Sequence, residues 1–406
     1  MNHPGELNIA DFTYDLPDDR IASEPAAARA DSKLLVYKNG IVQDKYFTEI
    51  GNQLPSEATL IFNNTKVVKA RLFFLKESGA SIEVFCLEPQ KGITLEQSFS
   101  QRHTVNWICM IGNSKKWKEE TLNLKMLIAD VEVVLSAKRL ENYGQESLIE
   151  FSWNNFDFSF SEILEIAGEL PLPPYMNREA TADDRVRYNT VYAVHEGSVA
   201  APTAGLHFTD TLIAELKSNG IKTLDVLLHV GAGTFKPVKS EKMQEHVMHA
   251  ERIKVSVINL EQLLIQKIKS KIIPVGTTST RMLESLYWMG VQVLENRFSG
   301  GDFCIVQWEA YETKNNYSAK EALTALINYA NTNELDFVEG FTQIIIAPGY
   351  QFKMIDGLIT NFHQPQSTLL LLVSALIGDD WKKVYKHALE NNYRFLSYGD
   401  SSLLLP

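Results

Sequence analysis

The 406-residue chain is short of cysteine, of long apolar runs and of positive charge, and each shortage closes off a class of protein. Its three cysteines, Cys86, Cys109 and Cys304, stand far apart with no CxxC spacing. Such a set builds neither a disulfide frame nor a cysteine zinc site and is expected of reduced thiols in a cytoplasm. No apolar stretch approaches the roughly 20 residues that span a bilayer. The opening MNHPGELNIADF lacks the basic and apolar regions of a secretory leader. The expectation is a cytoplasmic protein with no membrane contact. A net charge of −11 argues against wholesale adhesion to nucleic acid, although phosphate binding depends on where Lys and Arg cluster. Three clusters exist: Lys115, Lys116 and Lys118 around Trp117; Arg178, Arg185 and Arg187; and Lys267, Lys269 and Lys271. Taken alone, each reads as a solvated face. There is no low-complexity tract and no repeat of fixed period.

Hydrophobic residues make up 45% of the chain and charged residues 22%, ordinary values for a globular protein. At this length about two domains are expected. The first 70 residues have an α/β texture, with an apolar strand over 34–37, a hairpin turn at Asn39-Gly40 and a buried strand over 58–63. Between 71 and 158 the texture changes to short, β-branched or alternating runs punctuated by Gly79, Gly92, Gly112 and Gly144, which predicts an inserted β-barrel or sandwich. From 159 to 406 the α/β pattern returns. Expected there are a helix over 160–167, a rigid proline-rich link over 170–175 and a strand over 221–229. A strand over 271–275 should open a helix that runs through Glu284, and a strand over 354–359 should lead into a helix over 369–377. The fold expected is thus an α/β main domain (1–70 and 159–406) carrying a small β-barrel (71–158).

The run from 200 to 251 holds four of the nine histidines, His207, His229, His246 and His249, among small residues that allow close backbone approach. In HVGAGTF, His229 is an acid–base candidate, and Gly231, Gly233 and Thr234 can offer backbone N–H groups; the plainer reading is a strand end with a glycine turn. His246 and His249, three apart on an expected helix start, share a face with Glu245 or Glu251 nearby. The spacing lacks the HExxH arrangement of a zinc site, so no metal is expected. Thr277, Thr278, Ser279 and Arg281, with Glu284, form either a well-capped helix or an anion-binding helix start. The pattern is not a P-loop. Asn361 and His363, near Ser367, display an amide and an imidazole suited to a purine or ribose; otherwise they cap a buried helix. Loops that leave strands for helices lie at the carboxyl edge of an α/β sheet, where ligands bind. That edge should collect His207, His229, residues 277–279, Asn361 and His363 in one cleft.

With these residues assembled, the chain resembles the S-adenosylmethionine:tRNA ribosyltransferase-isomerase family of queuosine biosynthesis. The blocks that carry the likeness include DFTYDLP and IASEP within 11–25, NNTKV and ARL within 63–72, ELPLPPY at 169–175, RYNTVYA at 187–193 and AAPTAGLHFT at 200–209. HVGAGTFKPV at 229–238, EHVMHAE at 245–251, VGTTSTRMLES at 275–285, a long block at 347–375 and YRFLSYGD at 393–400 complete it. Coverage is nearly end to end, in order.

The resemblance implies a monomer in which an α/β domain is interrupted by a small β-barrel. It implies transfer and isomerisation of the ribosyl moiety of S-adenosylmethionine onto 7-aminomethyl-7-deazaguanine at the wobble position of tRNAs with a GUN anticodon. The product is epoxyqueuosine, adenine and methionine leave, and S-adenosylmethionine is a co-substrate with no other cofactor. The sulfonium acidifies the ribose C5′–H for a base, and a proton donor helps adenine depart. On this reading His207 and His229 do acid–base work with His246 or His249 assisting. Arg281 holds the methionine carboxylate, Thr277, Thr278 and Ser279 contact ribose or carboxylate, and Asn361 and His363 contact adenine. Thr203, Gly205, Gly231, Gly233, Thr234 and Glu284 complete the donor site, and Lys115, Lys116, Lys118, Arg178, Arg185 and Arg187 would face the tRNA. The chain departs from the family pattern at Asn64, Lys66, Lys69, Gln343 and Gln366, and residues 287–339 form a longer link than usual. Two alternatives follow: a diverged paralogue using the same donor on another acceptor, and a non-catalytic tRNA-binding protein on the same fold.

Overall fold

The structure is a computed structural model and describes residues 3–128, 130–231, 238, 240–313 and 316–406. One six-stranded sheet has the order Lys271–Pro274, Ala58–Asn63, Lys222–His229, Glu251–Ser256, Phe337–Thr342, Phe303–Ile305. Its first three strands are parallel and the next two pairings antiparallel. The parallel strand Ala58–Asn63 is buried along its whole length, as a strand covered on both faces must be. A second sheet joins distant parts of the chain: Leu358–Asn361, Ser401–Leu405, Lys33–Lys38 and Ile41–Tyr46. Its last two strands form a hairpin at Asn39-Gly40, where both residues have positive φ (47° and 81°), the geometry of a primed two-residue turn.

Residues 71–153 contribute a separate, wholly antiparallel six-stranded sheet, ordered Arg71–Leu75, Ser81–Pro89, Thr104–Gly112, Glu146–Trp153, Val131–Asn142, Leu122–Ile128. Its two outer strands approach each other, so the sheet curls into a barrel-like form. The alternating burial of Ser81–Pro89 and Thr104–Gly112 turns one face inward. Trp107, Phe151 and Trp153 fill that interior, and the helix Phe160–Ala167 packs on them through Phe160. The chain enters and leaves side by side, because Arg71 and Glu169 exchange backbone hydrogen bonds of 3.2 and 2.8 Å.

Three expected elements differ. The helix that opens at Thr277 runs to Leu294 rather than ending near Glu284. Gly290 does not stop it; a Cβ there would lie 2.1 Å from the carbonyl oxygen of Ala322, so the missing side chain lets helix Ala319–Thr332 approach. The strand expected over 354–359 is shifted to Leu358–Asn361. The buried Glu284 carboxylate takes the N–H groups of Lys353 (3.0 Å) and Met354 (3.0 Å), leaving them unavailable to a ladder. His246 and His249 are not on a helix start. The short 3-10 turn Met243–Glu245 ends before His246, whose backbone is extended (φ −79°, ψ 126°), so a shared helical face does not exist. No helix among the described residues is long and apolar enough to cross a membrane.

Candidate active site

Two parallel strand ends create the main cleft. Val275 and Ile359 form a parallel bridge, and Gly276 N–H donates to the Ile359 carbonyl at 2.8 Å. The strands Lys271–Pro274 and Leu358–Asn361 therefore deliver their carboxyl ends to the same edge. Gly276, at φ 95°, occupies a conformation that side-chain-bearing residues rarely adopt. It turns the chain into helix Thr277–Leu294. The resulting cleft, open to solvent, is lined by Thr203, Thr277, Thr278, Asn361 and His363. These come from three segments separated by at least 70 residues. Val230, Tyr175, Gln364, Ser367 and Ser397 also line it.

A hydrogen-bond chain fixes the Asn361 amide. Thr203 Oγ1 donates to Asn361 Oδ1 at 3.3 Å, while Asn361 Nδ2 donates to the Asp400 carbonyl (3.5 Å) and to His207 Nε2 (3.3 Å). A carbonyl can only accept, which sets the amide orientation. Nε2 of His207 must then accept as well, so the ring proton sits on Nδ1 and is donated to Ser32 Oγ at 2.8 Å. Burial, reinforced by the charges of Arg394 and Arg29, lowers the His207 pKa to about 3. The ring is neutral near pH 7 with both nitrogens engaged. His363 is likewise pushed down to about 3 by burial, and its Nε2 lies 2.9 Å from Thr360 Oγ1.

The remaining histidines stand elsewhere. His229 precedes Val230, which lines the cleft, but strand alternation turns its ring the other way, against Gly197. Burial lowers its pKa to about 4, against the opposing pull of Glu96, and its Nδ1 is buried with no partner among the described residues. His246 is lowered by burial and by His249. His249 Nε2 lies 3.3 Å from Glu251 Oε1, and the other carboxylate oxygen, Oε2, pairs with Arg281. Burial alone would raise the Glu251 carboxyl; Arg281 and then His249 overcome this and hold it low. The Arg281 charge is thus committed inside the protein, where the sequence reading had it grip a ligand carboxylate; Arg281 also donates to the Ile344 carbonyl.

Other expected residues have structural partners. Ser279 donates to the Val275 carbonyl at 2.9 Å. Glu284 accepts from Tyr350 (2.8 Å) besides the two backbone N–H groups, and burial raises its pKa. Gly205 makes room for Tyr192, whose hydroxyl would lie 1.9 Å from a Cβ there. Among the described residues nothing lies within 4 Å of a Cβ built on Gly231, and Gly233 and Thr234 lie outside the described residues. Lys115, Lys116 and Lys118 are exposed at a turn of the barrel-like sheet, and Arg185 is exposed. Arg178 forms a two-pronged ion pair with buried Asp184 (2.6 and 2.8 Å), and Arg187 donates to the carbonyls of Ala26 and Ala27. Sequence reasoning missed Ser32, Ser397 and Asp400. Their only signal was membership of two blocks that carry the family likeness, SKLLV at 32–36 and YRFLSYGD at 393–400.

The family described as queuosine biosynthesis protein matches residues 9–404. Relatives named S-adenosylmethionine:tRNA ribosyltransferase-isomerase are similar over 98% of this chain. The one from Vesicomyosocius okutanii is 37% identical, with 98% of its own length covered. Those from Ruegeria pomeroyi and Halothermothrix orenii are each 38% identical, with 100% covered. A crystal structure of S-adenosylmethionine tRNA ribosyltransferase from Thermotoga maritima is 26% identical at a TM-score of 0.46, covering 97% of this chain and 100% of that one. Matched along almost its whole length by the family and by these relatives, the chain belongs to the queuosine biosynthesis protein family.

Proposed function

We propose that the protein is an S-adenosylmethionine:tRNA ribosyltransferase-isomerase. It moves the ribosyl portion of the donor onto 7-aminomethyl-7-deazaguanine at the tRNA wobble position and releases adenine and methionine. The observation that carries this is end-to-end similarity to relatives bearing that name. The cleft supports it, since a purine and a ribose need amide, hydroxyl and imidazole groups, and Asn361, Thr203, Thr277, Thr278 and His363 supply them. Asn361 and His363 contact adenine. His207, with both nitrogens engaged, is a positioning residue for Asn361 rather than a proton carrier. His229 is neutral at pH 7 with an unpartnered Nδ1 among the described residues, but its ring is turned from the cleft, so the geometry gives neither it nor His246 and His249 the proton abstraction. Thr234 and Gly233 stay within the proposed donor site. The protein is proposed to act as a cytoplasmic monomer, with residues 71–158 as a separate unit.

Three of the departures from the family pattern have local partners: Lys66 pairs with Glu196 (2.9 Å), Lys69 with Glu165 (2.5 Å), and Gln343 donates to the Met248 carbonyl (3.0 Å). The Asn64 Oδ1 is buried with no partner among the described residues.

The test is incubation with S-adenosylmethionine and tRNA carrying the precursor base. Adenine release with a mass increase in the tRNA is expected; tRNA binding without adenine release would overturn the assignment. A His229→Ala variant should lose far less turnover than the roughly hundredfold usual for removal of a general base. A loss of that size would return His229 to the acid–base role.

A further inference from the structure

Behind the main cleft lies a second, much smaller recess, with room inside for about one water and the rest of its space open to solvent. Arg29, Arg187 and Arg394 line it, with Ser32, His207 and Tyr398. Ser397 lines both spaces, and His207, hydrogen-bonded to Asn361, stands between them. No carboxylate lines this pocket among the described residues.

The plainer reading makes these arginines structural ties. Arg29 donates to the carbonyls of Val186 (3.0 Å), Arg187 (3.3 Å) and Leu206 (3.2 Å). Arg187 donates in return to Ala26 (2.7 Å) and Ala27 (3.3 Å). Those bonds account for where the guanidiniums sit but leave their charge standing, because a carbonyl dipole does not neutralise a cation. Arg29 is held below its ordinary value by burial first and by Arg187 second, with Asp183 among the weaker opposing influences. Asp400 is 4.0 Å from Arg394, and its oxygens already accept from the N–H groups of Lys33 (2.9 Å) and Arg394 (2.7 Å).

Two donors are unspent. Arg187 Nε is buried with no partner among the described residues. Ser32 Oγ accepts the His207 Nδ1 proton, which leaves the serine's own hydrogen free to donate. Guanidinium groups and a hydroxyl around a space without a carboxylate are the donor set of an oxyanion. We propose that a phosphodiester group of the RNA acceptor sits at the mouth of this recess, one non-bridging oxygen entering it, while the donor occupies the cleft on the other side of His207. This rests on the reaction assigned above. RNA fits better than the donor's own carboxylate, which would have to cross the His207–Asn361 wall. A phosphate contact fixes register without reading sequence.

The full-length protein is titrated with inorganic phosphate, followed by thermal unfolding and by phosphorus line width. Saturable stabilisation of the wild type is expected, with affinity falling at least about tenfold in Arg394→Gln and largely kept in Arg394→Lys. Ser32→Ala should weaken phosphate as well. Arg394 donates to the Glu24 carbonyl and takes no part in the bonds that Arg29 and Arg187 make to the backbone, so its replacement spares those ties. In the same Gln variant, the slope of log affinity for tRNA against log salt should fall by about one, with donor affinity unchanged. No phosphate binding by the wild type, or equal binding by wild type and Arg394→Gln, overturns the anion site. An unchanged salt slope overturns the RNA assignment, and loss of donor affinity would give the pocket to the methionine carboxylate instead. Wild-type protein that binds phosphate here yet releases no adenine would sink the reaction assignment and leave the anion site standing.

Discussion

Acidification from pH 7.5 to 5 should cost the folded protein about 4 kcal/mol through two buried rings alone. His207 and His363 are 5% and 9% exposed. Burial, helped at His207 by Arg394 and Arg29, lowers each from 6.5 to about 3. In the unfolded chain both rings take up a proton near pH 6.5, whereas in the folded chain they do not until about pH 3. Between those values the unfolded state binds more protons, so stability falls as pH falls. At about 1.4 kcal/mol per unit, the 1.5 units from 6.5 to 5 give about 2 kcal/mol for each ring. Above pH 7 the contribution is fully present; below pH 3 the loss levels off. Denaturant midpoints measured from pH 8 to 4.5 on wild type and His363→Gln check this. The variant should start less stable, because it loses the Thr360 contact, and should lose about 2 kcal/mol less on acidification, so the curves converge. Parallel curves would mean that the native ring is solvated or already protonated, and the reasoning would fail. The Glu251 carboxyl acts in a lower window: held low in the folded state, it stabilises above its ordinary value of 4.5 and loses that contribution as pH falls through it.

Glu251→Gln leaves the Arg281 guanidinium buried without its counter-charge, and should cost about 3–5 kcal/mol in denaturant unfolding. A loss below 1 kcal/mol would mean that Arg281 has another partner. Gly290→Ala forces a methyl onto the Ala322 carbonyl, an overpacking cost of about 1–3 kcal/mol. Gly231→Ala, with nothing among the described residues within 4 Å of the added Cβ, should stay within about 0.5 kcal/mol of wild type. Asn361→Ala should weaken donor binding about tenfold, the loss of one or two buried hydrogen bonds. His207→Ala should move the same way, and calorimetry on the double variant should show no further loss, because His207 acts through Asn361.

Local chemistry made several elements legible. The strand Ala58–Asn63 is an unbroken apolar run, the Asn39-Gly40 turn needs positive φ, and the alternating runs between 71 and 153 could only face a core on one side. Elements set by tertiary contacts were not legible. The close packing that Gly290 allows against Ala322 cannot be read from either segment alone, and the strand before Asn361 starts late only because a carboxylate 70 residues away takes its N–H groups. The His246–His249 pair looked helical by spacing, but spacing carries no information about a backbone that is extended at that point.

The same distinction governs the site. Four histidines crowded into 43 residues suggested one constellation, yet a strand sends successive side chains to opposite faces. Val230 therefore lines the cleft while the ring of His229 packs against Gly197. Neighbours in sequence are separated by a sheet, and strangers are joined by one. Ser32 stands just before the strand Lys33–Lys38, and Asp400 just before Ser401–Leu405. Asn361 ends Leu358–Asn361, and all three strands pair in a single sheet. That pairing puts Ser32, Asp400 and Asn361 within reach of His207, which reaches them from a separate segment. A polar network drawn from four places in the chain is set by strand register. A one-residue slip of Ser401–Leu405 would move Asp400 off both the Lys33 and Arg394 amides and release the Asn361 amide that faces the cleft.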